Sequence, residues 1–224
     1  MVRACGSYPQ SHWFKSSHRH QRKLNRGLTF PQSILSSGDL FSKKSLFQMT
    51  YWSFQSEDMS TVCEALAIAE DKTGDFYKFS FGQWKRHHYD VKTLTDLNNN
   101  EIITNAFALL NKGARIVSSF DSKTKKRDFY FICLQDHQIL KALRRDNRLG
   151  LLPLLVYIFT HELVHVVRFC NFFQRFEIFG EGRELEERIV HDTTFGILKD
   201  LSLPNLDYVL ESYHRHRICD LAMV

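Results

Sequence analysis

The sequence predicts an α+β fold: a small sheet first, then a helix-rich second half. Three observations carry this. Residues 127–136, "RDFYFICLQD", are dense in aromatic and β-branched side chains, as a buried strand requires. Residues 152–173 read as one long, mostly apolar helix. The chain of 224 residues is 43% hydrophobic, enough for one domain with a real core, placed at residues 49–224.

The elements follow in order from local signals. "SEDMSTVCEALAIAEDKTG" opens with a polar cap and an acidic turn and reads as a helix ending at Gly74. "DFYKFSFGQW" alternates and reads as a strand. "NNNEIITNAFALLNKG" has asparagines before it and Gly113 after it, and reads as a short helix. The aromatic strand comes next, then a helix over "DHQILKALRRDNRLG" that ends at Gly150. The long helix spans 152–173. Gly180 and Gly182 mark a loop, a further helix runs over 183–201 until Pro204 stops it, and "LPNLDYVLESYHRHRI" supplies a last short helix.

Charge is distributed unevenly. Residues 1–48 hold eight Lys/Arg against Asp39 alone, net +7; the remainder holds 22 against 24, net −2. The body therefore gives no signal for nucleic-acid binding. The first 48 residues lack sustained periodicity and read as a disordered basic extension. A transit-like segment would share that composition, but a plain tail, or a true start at Met49, fits better with the domain-like sequence that follows. No apolar h-region follows the early basic residues, which argues against a secretory signal. Five cysteines, odd in number and without a CxxC pair, suit reduced thiols in a cytoplasmic protein. No window reaches the ~18 apolar residues of a membrane span, since the longest run meets Pro153 and stops at His161.

Inside the long helix, "IFTHELVHVVRFCNF" places His161, Glu162 and His165 among apolar neighbours. Burying unpartnered ionisable groups is expensive, and a metal ion is a partner that satisfies all three. Residues i and i+4 share a helix face, so both imidazoles can reach one ion. Glu162 beside them can take a proton from a water that the ion activates. A site with an open position needs a third protein ligand. The next helix offers Glu184, Glu186, Glu187 and His191.

The pair of segments resembles the zincin metallopeptidases, in particular the gluzincin branch. That branch couples HExxH to a glutamate one helix later, often in a pattern near E-x-x-A-D-x-x-A. Here "ERIVHDTT", Glu187 to Thr194, follows it with Val190 and Thr194 at the small positions and His191 in place of the aspartate. The resemblance implies a compact zincin-like domain in which His161, His165 and Glu187 hold one Zn2+. It gives His191 a role orienting a ligand histidine. His191 itself and Glu186 are alternative third ligands. The likeness covers residues 152–201, and the longer metzincin motif is absent. Only 21 residues separate His165 from Glu187, which leaves no room for a large substrate-binding insertion.

This reading implies a zinc-dependent hydrolase, a metallopeptidase with Glu162 as general base and a peptide or protein as substrate. Two imidazoles, one carboxylate and an open position suit zinc, with iron and manganese as alternatives. The aromatic strand could align an extended peptide, or be an ordinary core strand. The competing class is a non-catalytic metal-binding or regulatory module. Tyr157, Tyr208, Tyr213, His214 and His216 are candidate oxyanion donors, although packing or surface roles suit them better. Arg168 could pair with an acid on the next helix. His87 and His88 read as surface residues, Cys170 as a buried thiol, and "SSHRHQRK" as solvated tail. Nothing in the sequence sets an oligomeric state.

Overall fold

The computed structural model describes residues 51–84, 87–117, 125–171, 173–177, 179–213 and 219–223. The extension expected over residues 1–48 lies outside them, as do His214 and His216. The architecture is α+β, with a four-stranded sheet in the order β1-β3-β2-β4.

Helix α1 (Ser56–Tyr77) starts where the Asp58 carboxylate accepts a hydrogen bond from the Gln55 N–H at 2.9 Å. It runs through Gly74 and ends at Lys78, whose φ of 56° is left-handed. Gly74 serves packing instead of termination. A Cβ there would lie 3.2 Å from the Trp84 indole nitrogen, which donates to the Glu70 carbonyl. The strand expected over 75–84 is therefore absent. Its first residues finish α1, and Phe81–Trp84 form the single-turn helix α2. The aromatics that suggested a strand instead build a cluster in which Phe79 stacks on His87 at 4.7 Å. His87 is buried there, not a surface residue.

Strand β1 (Tyr89–Lys92) pairs parallel with β3. Two 3-10 turns follow, Leu94–Asp96 and Asn99–Glu101. The helix expected over 98–113 is replaced by the second of these turns and by β2 (Ala108–Val117). Strand β3 (Lys125–Leu134) runs antiparallel to β2, with Leu110 opposite Ile132. A strand not foreseen, β4 (Cys219–Met223), closes the sheet parallel to β2. Alternation puts Ala108, Leu110, Tyr130, Ile132 and Leu134 on the core face. On the opposite face, buried Glu101 accepts from Lys92 at 2.7 Å and from Asn111 at 3.2 Å, which fastens the 3-10 segment to the sheet.

The helices α3 (Asp136–Arg145), α4 (Leu151–Cys170), α5 (Glu181–Leu198) and α6 (Leu206–Tyr213) occur close to their expected places. Pro153 is the third residue of α4 and does not interrupt it, because the first turn needs no donor there. Helix α4 is long and apolar enough to cross a membrane, but 83% of its most apolar window is buried inside the domain, as in a core helix. It packs on α1, α5, α6 and the sheet. Gly180 at the start of α5 has φ +57° and ψ −137°, a conformation that side chains resist.

Candidate metal centre

Helix α4 carries an i, i+4 stripe of rings: Tyr157, His161, His165 and Phe169. The His161 and His165 rings stand 4.9 Å apart and nearly perpendicular, and His165 stacks on Phe169 at 5.6 Å. Both histidines are fully buried because α4 is covered on all sides. Helix α5 brings Glu187 against them. Its Oε2 lies 3.4 Å from His161 Nε2 and its Oε1 lies 3.5 Å from His165 Nε2. One donor atom from each of the three residues falls within 4.8 Å of the others.

These contacts are longer than a charge-assisted hydrogen bond, which runs at about 2.7–2.9 Å. All four ring nitrogens and both Glu187 oxygens lack a hydrogen-bond partner. Buried groups in that condition need an explanation. Metal–ligand bonds of about 2.0–2.1 Å in a tetrahedron separate neighbouring ligand atoms by about 3.3–3.4 Å. Each imidazole lies near that distance from one Glu187 oxygen, His161 from Oε2 and His165 from Oε1, and single ligand atoms of the three residues lie within 4.8 Å of one another. The donor set thus fits one divalent ion.

Charge supports the same arrangement. Burial pushes the Glu187 carboxyl up, but the facing His165 and the contacts to both imidazoles hold it well below the usual carboxylate range. Burial pushes His161 down. It presses His165 the same way, but the Glu187 charge prevails and raises it. Glu187 is thus an ionised carboxylate, ready to act as a ligand.

The other candidates fall elsewhere. Glu186 is fully buried and takes two hydrogen bonds of 2.7 Å from the Arg168 guanidinium, the pairing expected for Arg168. Its Oε1 is 3.9 Å from His165 Nδ1. Adjacent residues on a helix point about 100° apart, so α5 aims Glu186 at Arg168 and Glu187 at the histidines. The His191 ring sits 4.6 Å from that of His161, and its Nδ1 is 3.0 Å from the Tyr157 hydroxyl. Tyr157 also donates to the Tyr213 carbonyl at 3.3 Å. A carbonyl can only accept, so the Tyr157 proton goes to Tyr213 and His191 Nδ1–H donates to Tyr157. Burial pushes the Tyr157 phenol far up, so it keeps that proton.

Glu162 is fully buried one residue from His161. Its charge raises both His165 and the Cys133 thiol on β3, so its carboxylate lies within electrostatic reach of the candidate centre. Tyr208 bonds to Arg148 and Asp146, away from the histidines. Cys170 is half-buried, its thiol pushed up to about 11 by burial. Tyr157 is fully buried, in keeping with a packing role, and its contact to His191 is the part that sequence does not show. The sequence signal for its place on the stripe is its position four residues before His161.

No protein-family model, curated protein or solved structure matches the chain.

Proposed function

We propose that the chain is a zinc-dependent hydrolase of gluzincin type that cleaves peptide bonds. One observation carries this reading: two buried imidazoles face a carboxylate at 3.4 and 3.5 Å, and none of the polar atoms of the three has a hydrogen-bond partner. His161, His165 and Glu187 would hold the ion. When bound, zinc supplies a Lewis acid and brings the pKa of a water toward ~7.

The chain's own groups do the remaining work. Glu162 accepts a proton from the attacking water on its carboxylate and returns it to the leaving amine. The Arg168–Glu186 pair holds α5 in the rotation that turns Glu187 inward. His191, oriented by Tyr157, packs against His161 and fixes that ring's plane. Reduced, unpaired thiols at Cys63, Cys133 and Cys170 fit a cytoplasmic location.

A second reading is favoured by burial. His161, Glu162 and His165 are all completely covered, which suits an ion that stabilises or regulates the domain without turnover. The separating experiment compares wild type with Glu162→Gln on a mixed peptide library, with zinc content measured on both. The hydrolase reading expects equal zinc and cleavage reduced by ~10²–10⁴-fold, the range for a lost general base. Zinc-loaded wild type that cleaves nothing would leave the non-catalytic module in its place.

A further inference from the structure

We propose that a pocket between the α3–α4 turn and α6, apart from the metal centre, binds a small phosphate-bearing ligand of nucleotide size. It is lined by Arg144, Arg145, Arg148, Tyr208, Ser212 and Tyr213, among others, and its volume is ≈ 710 Å³. That lies inside the range of about 300–1,000 Å³ typical of small-molecule sites.

The charge in it is unbalanced. Three guanidinium groups fall within five residues, and the wall holds one carboxylate, Asp146. Asp146 is already engaged: Tyr208 donates to it, and so do the Arg148 backbone N–H at 3.0 Å and the Arg148 side chain at 3.4 Å. That contact pairs Arg148 alone. Arg144 lies over the Trp52 ring at 3.3 Å, and neither Arg144 nor Arg145 has an acidic partner among the described residues. Arginines in the last turn of α3 gain modestly from the helix dipole, but that does not cancel three like charges in one concavity.

The chemistry of the lining selects the ligand. Guanidinium forks bind phosphate through paired N–H groups, and the Ser212 hydroxyl can add a donor. Tyr213 lines the pocket beside Tyr208, whose ring already carries the Arg148 guanidinium at 4.1 Å, so a ring attached to the phosphate can lie against this aromatic wall. A nucleic-acid strand fits less well, because residues 49–224 carry a net −2. The inference does not depend on whether the metal centre is catalytic.

The test titrates full-length protein with pyrophosphate and with ADP, by calorimetry in magnesium-free buffer. Arg145→Ala combined with Arg148→Ala should weaken both at least about tenfold, or ~1.4 kcal/mol. Both side chains are exposed, but Arg148 also bonds to Tyr208, so a circular dichroism melt checks that the fold is kept. Ser212→Glu, which keeps every arginine but adds a negative charge, should weaken both as well. Arg188→Ala, on the exposed side of α5, should change neither. Binding that survives both pocket variants overturns the proposal and assigns the anion to the basic segment 1–48 or to the metal centre. No binding by wild type overturns it too, as does a single-stranded oligonucleotide that outcompetes ADP for the same arginines.

Discussion

Arg168 grips Glu186 through two hydrogen bonds of 2.7 Å, and the carboxylate it holds is completely buried. The pair ties the last turn of α4 to the first half of α5, next to the residue that faces the histidines. Arg168→Leu would strand a buried charge and should destabilise the domain by about 3–5 kcal/mol. Arg168→Leu with Glu186→Leu removes both charges and should recover most of that loss. Urea unfolding of the two variants checks this; equal stability in both would show that the pair matters little.

Glu162, fully buried, and Glu187, partly exposed, are both acids beside the proposed ion, with different jobs. Glu187→Gln should lose zinc and melt at a lower temperature, because an ion bound only to the folded state stabilises it, by about 2.7 kcal/mol at a hundredfold excess over Kd. A chelator should lower the melting temperature of wild type and of Glu162→Gln, but not that of Glu187→Gln. His161→Ala with His165→Ala should behave like Glu187→Gln. Full zinc content in Glu187→Gln, by elemental analysis, would remove Glu187 from the ligand set.

Much of this centre was legible from sequence because its signals are local. The i, i+4 histidines sit in an unbroken apolar run, and Glu187 follows one short link later. The strand β2 was not legible. Its Ala108, Leu109 and Leu110 are good helix formers, and what makes them a strand is pairing with β3 and β4, a tertiary effect. Gly74 misled in the same way, since a distant Trp84 dictates it. The choice between Glu186 and Glu187 turned on one residue of helical rotation, which periodicity cannot resolve and Arg168 does.

Asp136 predicts a pH dependence. Its carboxylate accepts from the Phe54 N–H at 3.0 Å and the Leu94 N–H at 3.1 Å, yet burial dominates and pushes it from 3.8 up to about 6. The folded chain then holds this proton to a higher pH than the unfolded chain does. The stability it contributes is full below pH 3.8 and is lost as pH rises through 6. Asp136→Asn cannot titrate. The stability of wild type minus that of the variant should therefore fall between about pH 4 and 6 and stay flat above. A difference that rises over that range would contradict the burial argument.

The thiols should divide by exposure. Burial pushes Cys133 up to about 12 and Cys170 up to about 11, whereas Cys63 is exposed on α1. Since the thiolate is the reactive form, an alkylating reagent at pH 8 should modify Cys63 and spare Cys133 and Cys170 until the protein is denatured. Peptide mass spectrometry would read this directly. Early labelling of Cys133 would mean that the sheet opens in the native state.

The complete burial of His161 and His165 also bears on time. An ion held there would exchange past Glu187, whose side chain keeps 17% of its surface exposed, and not along α4. How long one metal stays would then be set by how freely that side of α5 moves, and a substrate would come in by the same way.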